Sequence, residues 1–306
     1  MKDEKMKILE TLQDGKISAA EAANLMEQLS NRGNRPQMEY QNDDGIFTWI
    51  KDAIFNAGGY KSSIELTSNP VKNSIGALLL AGKNGSVNIE GYSGGHIKIH
   101  CQYTAKNPDT PITFQEGNGI HELRYDESAI KGMKISCQVP MIMIERLHAT
   151  TSNGSIKLED IHTGDIHAVT SNGGIKLEDV RAASAKLDTS NGSIKIEDGD
   201  VGNIFAGTSN GSIKMEGISD NPAEVRAIEA KTSNGGIVLE LPRNIGVKLT
   251  AGTSNGKITC DLAEDIYGKI SRTHIDGQNK LYQQQGSSIN IELSTSNGSI
   301  KIKEAN

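Results

Sequence analysis

The chain has 306 residues, 33 of them glycine, only 4% aromatics and a net charge of −6. Hydrophobic residues at 36% and charged residues at 23% exclude a disordered chain. The charge is spread along the chain without a basic patch, which argues against a nucleic-acid partner. No apolar run approaches the roughly 18 residues of a spanning helix, and the charged start Met1-Lys2-Asp3-Glu4-Lys5 lacks the apolar stretch of a signal peptide. Three widely spaced cysteines (Cys101, Cys137, Cys260) suit a reducing compartment. The expected location is therefore cytoplasmic, or peripheral at the inner face of the membrane.

Residues 1–30 predict a small helical hairpin. Met6, Ile8, Leu9 and Leu12 recur at helical spacing, Asp14-Gly15 breaks the pattern, and Ser18-Ala19-Ala20-Glu21 is a capping box. Ala22, Leu25, Met26 and Leu29 then form a second apolar stripe. A hairpin this short needs a partner surface, so we assign it to oligomerisation or docking. Residues 31–60 read as a linker followed by an amphipathic helix over 45–56. That helix holds Phe47, Trp49, Ile50, Ile54 and Phe55, including the only tryptophan. It reads as a cap on the first coil of the repeat region; the sharper reading is a membrane or partner contact.

Residues 61–306 predict a parallel β-solenoid, most regular from residue 140. The tetrapeptide Thr-Ser-Asn-Gly begins at Thr151, Thr170, Thr189 and Thr208, then at Thr232, Thr253 and Thr295, with Lys83-Asn84-Gly85-Ser86 as a weaker copy. After each turn comes an alternation such as Ile194-Lys195-Ile196-Glu197; before it stand pairs such as Leu147 with Ala149. This period of two marks half-buried strands, two short ones per coil of about 20 residues. Such a coil cannot bury its apolar face alone and must stack, giving about twelve coils over this span. Pro108, Pro111 and longer insertions blur the register in 61–139. The chain ends just after a strand with no cap behind it, which raises the expectation of end-to-end association.

Asn153, Asn172, Asn191, Asn210, Asn234, Asn255 and Asn297 read as a stacked turn ladder, with Asn-Gly serving a positive-φ turn. Asn153-Gly154-Ser155 also fits a glycosylation acceptor, a reading disfavoured for want of a signal peptide. The carboxylates belong to the repeat instead of forming a singular cluster: a Glu column beside a Lys column, plus Asp160, Asp179 and Asp198. His148 and His167 share one outward column without a convergent third ligand. No catalytic, cofactor or metal residue is assigned, and the expectation is a protein that is not an enzyme.

Val139-Pro140 followed by the repeated Thr-Ser-Asn-Gly-Ser-Ile-Lys-Leu-Glu resembles the bacterial putative-adhesin β-solenoid family, a domain of unknown function. The segments Lys7-Ile8-Leu9-Glu10 and Gly15-Lys16-Ile17-Ser18-Ala19-Ala20-Glu21-Ala22 resemble the short N-terminal bihelical domain of YvlB/LiaX-type proteins of Gram-positive bacteria. The resemblance implies a non-catalytic scaffold or regulator of the cell-envelope stress response, linked to antimicrobial peptides and membrane lipid state. It carries no catalytic residues over and leaves the ligand unknown. The alternative is a secreted or surface adhesin, a carbohydrate-binding solenoid; a carbohydrate-active enzyme is a third.

Overall fold

The computed structural model describes residues 59–71, 73–219, 226–243, 245–262, 265–284 and 288–305. The chain divides into two compact units, 1–61 with 106–108 and 62–105 with 109–306. The expected hairpin at 1–30 and the helix at 45–56, with Phe47, Trp49, Ile50, Ile54 and Phe55, lie outside the described residues.

The described strands begin with β1 (Tyr60–Thr67), β2 (Ser74–Ala81), β3 (Val87–Tyr92), β4 (Lys98–Ala105), β5 (Ile112–Gly117), β6 (Ile120–Tyr125) and β7 (Ile130–Pro140). The regular repeats supply β8 (Met143–Thr151), β9 (Ile156–Glu159), β10 (His162–Thr170), β11 (Ile175–Glu178), β12 (Arg181–Thr189), β13 (Ile194–Glu197), β14 (Asp200–Thr208) and β15 (Ile213–Glu216). They continue through β16 (Arg226–Thr232), β17 (Ile237–Leu241), β18 (Gly246–Thr253) and β19 (Ile258–Cys260). The chain closes with β20 (Ile266–Ile270), β21 (His274–Asn279), the short helix α1 (Lys280–Gln284), β22 (Ser288–Thr295) and β23 (Ile300–Glu304).

Two facing sheets form. The first, of 11 strands, runs β1-β4-β7-β3-β9-β11-β13-β15-β17-β23-β19; the second, of 12, runs β20-β21-β18-β22-β16-β14-β12-β10-β8-β2-β6-β5. Each repeat crosses from the second sheet to the first through its Thr-Ser-Asn-Gly turn. Pairing is parallel and in register, so chemically identical residues stack: Ile175 on Ile194, Lys176 on Lys195, Leu177 on Ile196. The Ile and Leu columns face inward and are fully buried; on the other sheet Leu147, Ile166, Ala185 and Ile204 face them. Alternation in the sequence therefore translates directly into a continuous narrow core, which small and aliphatic side chains fill without aromatics.

The stacking order departs from the sequence order at both ends. The last coil, β22–β23, does not end the stack. It lies between β16–β17 and β18–β19, with Thr295 paired to both Thr232 and Thr253. Likewise β2–β3 lies between β6–β7 and β8–β9. The chain steps over the filled slot each time. At the first crossing Met141 donates its N–H to Tyr92 O at 3.1 Å, and at the second Ala305 N–H donates to Leu241 O at 2.8 Å. The expected exposed C-terminal edge is thus an interior coil with both backbone edges paired.

Antiparallel strands close the ends instead. β21 pairs with β18 and β20, while β4 pairs antiparallel with β7 and β5 with β6. This corrects the reading of 61–139 as simply parallel: with Pro108 and Pro111 in the connection, the chain reverses there and pairs with antiparallel neighbours. It also lowers the coil count, from about twelve to nine paired turns among the described residues. Reversal at an end has a physical use, since it stops further copies from adding in register. Asn279 ties the closing hairpin down: its side-chain carbonyl accepts from Val247 N–H and Tyr282 N–H, and its amide donates to Ile245 O.

Candidate functional site

The turn edge is built first by threonine. Each turn Thr is buried, and its hydroxyl donates to the glycine carbonyl of the neighbouring coil, as Thr189 Oγ1 does to Gly173 O at 2.8 Å. Sequence reading missed this bond, although a Thr recurring at the same turn position was its signal. The expected asparagine ladder is present. Along the series Asn84, Asn153, Asn172, Asn191, Asn210, Asn234, Asn297 and Asn255, Nδ2 of each member donates to Oδ1 of the one before it. Asn84, from the weaker copy, begins it, and the last two members stand in spatial rather than chain order.

The expected use of glycine at this turn needs correction. Among the ladder asparagines, Asn84 takes a positive φ of 52°, while those from Asn153 onward and the glycines that follow them do not. The glycines are needed for close approach. A Cβ on Gly173 would stand 2.0 Å from Gly154 O, and one on Gly192 would stand 1.9 Å from Gly173 O. The left-handed residues occupy the opposite corner: Asp160, Asp179 and Asp198, with φ between 51° and 54°, and then Gly217 at 62°. Gly217 in that column was the readable sign.

The outward face of the first sheet carries the Lys and Glu columns. Lys176 reaches Glu178 and Glu197, both at 2.8 Å, and Lys157 reaches Glu178 at 3.3 Å. Lys195 pairs with Glu197, and Lys303 bridges Glu216 and Glu240 at 3.0 Å. Hydrogen bonds from Lys176 and then Lys195 hold the Glu197 carboxyl down to about 2, and the lysine ammonium of Lys176 is correspondingly pushed up. The face is therefore self-neutralising: each of these charges is consumed by a neighbour in the stack.

The pattern breaks where the sheet passes from β9 to β3, β7 and β4. Register carries the Lys column on through Lys157, Asn88, Ser136 and His100, and the Glu column through Glu159, Glu90, Gln138 and Lys98. These side chains line an open groove of about 510 Å³, with Glu65 and Thr67 on its far rim. Lys98 Nζ sits over the Tyr92 ring, 5.1 Å from its centroid, and His100 Nδ1 lies 3.7 Å from Glu65. The groove could not be read from the sequence, because its residues come from strands paired out of chain order.

Other candidates resolve into structure. His148 and His167 do stack in one column, with rings edge-on at 5.2 Å. Burial, then His167 and Arg146, lowers the His148 pKa. No group of three His, Cys, Asp or Glu placed to hold a metal occurs among the described residues. Cys101 and Cys137 are buried in the core; burial pushes the Cys101 thiol up to about 12 and raises Cys137 as well. Cys260, in the inward column of β19, is half-buried. Among the described residues, no helix is long and apolar enough to cross a membrane.

The family model Toastrack DUF4097 matches residues 78–305, and a model described as a SHOCT-like domain matches residues 3–34. No curated protein matches the chain. Similar solved structures include a putative cell adhesion protein from Clostridium sporogenes, at 14% identity over 80% of this chain and 100% of that one, TM-score 0.39. A putative adhesin from Bacteroides fragilis matches at 15% identity over 79% of this chain and 97% of its own, TM-score 0.39. A putative lipid binding protein from Parabacteroides distasonis matches at 9% over 81% and 98%, TM-score 0.33.

Proposed function

Because the chain belongs to the Toastrack DUF4097 family, which covers residues 78–305, we propose that it works as a non-catalytic interaction scaffold at the cell envelope, regulating the response to envelope stress. The observation that carries this reading is the self-paired repeat. Lys and Glu of successive coils satisfy each other, which gives a stiff, patterned surface whose charged groups serve the stack. Charge so neutralised gives anionic lipid little to attract, so we place membrane or peptide contact with the segment around Phe47, Trp49, Ile50, Ile54 and Phe55. Docking or self-association falls to the residues matched by the SHOCT-like model. The working location is the inner face of the membrane.

Two measurements test this. The first titrates purified full-length chain with anionic liposomes, with and without a cationic antimicrobial peptide, while recording the fluorescence of the sole tryptophan, Trp49. A blue shift specific to anionic lipid is expected; emission indifferent to lipid and peptide removes the membrane half of the proposal. The second removes the gene and tracks an envelope-stress reporter under a cell-wall antibiotic. Altered induction, restored by the full chain and not by a chain lacking residues 3–34, is expected. Unaltered induction refutes the regulatory role.

A further inference from the structure

We propose that the groove over β9, β3, β7 and β4 is a binding site for an oligosaccharide. The same two columns change chemistry along the sheet. On β9 and the strands beyond it, Lys157, Lys176 and Lys195 are each paired to glutamates of the stack. One strand further, the columns change to Asn88 and Glu90, and then to Ser136 and Gln138. Among the described residues, none of these four side chains has a hydrogen-bond or ion-pair partner in the protein. The regular repeats use these positions to hold the stack together. Here two amides, a hydroxyl and a carboxylate are left free, side by side, in the floor of a groove of about 510 Å³.

Their chemistry and spacing point to a polyhydroxylated ligand. Strand pairing sets neighbours in one column about 4.8 Å apart, and alternate residues along a strand stand about 6.8 Å apart. The four groups therefore form a small rectangle of donors and acceptors, on the scale of the hydroxyls around one or two pyranose rings. Amides offer a donor and an acceptor together, which suits vicinal hydroxyls, whose oxygens do both. Lys98 and His100 continue the two columns on β4, and Lys98 is held over Tyr92. With glutamates and cations on the same rim, no single sign of charge prevails, which disfavours a polyanion or polycation. Exposed polar groups of this kind give modest affinity per contact, so an extended sugar spanning several strands is the fitting class. The groove would bind sugar whether or not the chain reports envelope stress.

The test uses full-length protein and a panel of neutral, amino and acidic oligosaccharides of four sugar units, and then calorimetry on whichever binds. Binding by at least one member is expected. Each lost hydrogen bond weakens binding about fivefold, so the pair Asn88→Ala with Gln138→Ala should reduce affinity about 25-fold. Phe205→Ala, which removes an exposed ring from the other sheet, should leave it unchanged. Circular dichroism on each variant confirms that the fold is retained. If no member of the panel binds, the proposal is wrong. It is equally overturned if the Phe205 variant loses binding while the Asn88 and Gln138 pair keeps it, since the site would then lie on the opposite sheet.

Discussion

Two adjacent glycines in one turn offer a sharp trial of how the coils are held. Gly173 is the ladder glycine; Gly174 occupies the position that other coils give to Ser155, Ser193 or Ser212. A Cβ on Gly173 would lie 2.0 Å from Gly154 O and 2.4 Å from its carbonyl carbon, so the coils must part by about 1 Å to admit it. Three hydrogen bonds cross between those two coils at that corner: Thr170 Oγ1 to Gly154 O, Asn172 N–H to Ser152 O, and the Asn172 to Asn153 side-chain bond. At about 1 kcal/mol net each, their loss amounts to about 3 kcal/mol before any disturbance of the core. A Cβ on Gly174 meets only Ser193 O, at 3.1 Å, a contact that a shift of a few tenths of an ångström relieves. Its smaller unfolded-state entropy then adds about 0.4–1 kcal/mol of stability. Gly173→Ala should therefore lower stability by about 3 kcal/mol while Gly174→Ala changes it by less than about 1 kcal/mol, read from urea unfolding monitored by far-ultraviolet circular dichroism. Equal effects at the two sites would refute close coil approach as the reason for the ladder glycine.

The same structure sets three further expectations. Deleting residues 288–306 should abolish cooperative unfolding rather than trim one coil, because the lost strands lie between β16–β17 and β18–β19; a folded, soluble truncated chain would contradict the interior placement. Glu197 has a native pKa of about 2 against an ordinary 4.5, so its contribution is complete above about pH 4.5 and disappears as pH falls toward 2. The acid-induced drop in urea midpoint over that window should shrink in Glu197→Gln. Cys101 and Cys137, buried with raised pKa values, should resist iodoacetamide at about pH 8 in the native chain and react once it is denatured. Mass spectrometry of the native digest showing either residue alkylated would show that the core opens.

The sequence alone determined the coil. Period-two alternation assigned the inward Ile and Leu columns and the outward Lys and Glu columns of the regular repeats, because side-chain direction in a strand depends only on parity. A strict 19-residue recurrence over four turns left one way to stack them, with like on like, and so placed the asparagine ladder by residue. Local periodicity has no term for which coil neighbours which once the recurrence loosens. Thr253 to Thr295 spans 42 residues, a distance as compatible with two successive coils as with one coil returning into a gap. The second occurs because unpaired strand edges are unfavourable, and filling the slot satisfies both while an antiparallel hairpin closes the end. The groove arises from the same non-local choice. Asn88, Ser136 and His100 are separated in the chain and become neighbours only when β3 is taken in between β9 and β7 and β4 reverses against β7. Parity decided what each residue could face, and backbone pairing across the whole chain decided whom it would stand beside.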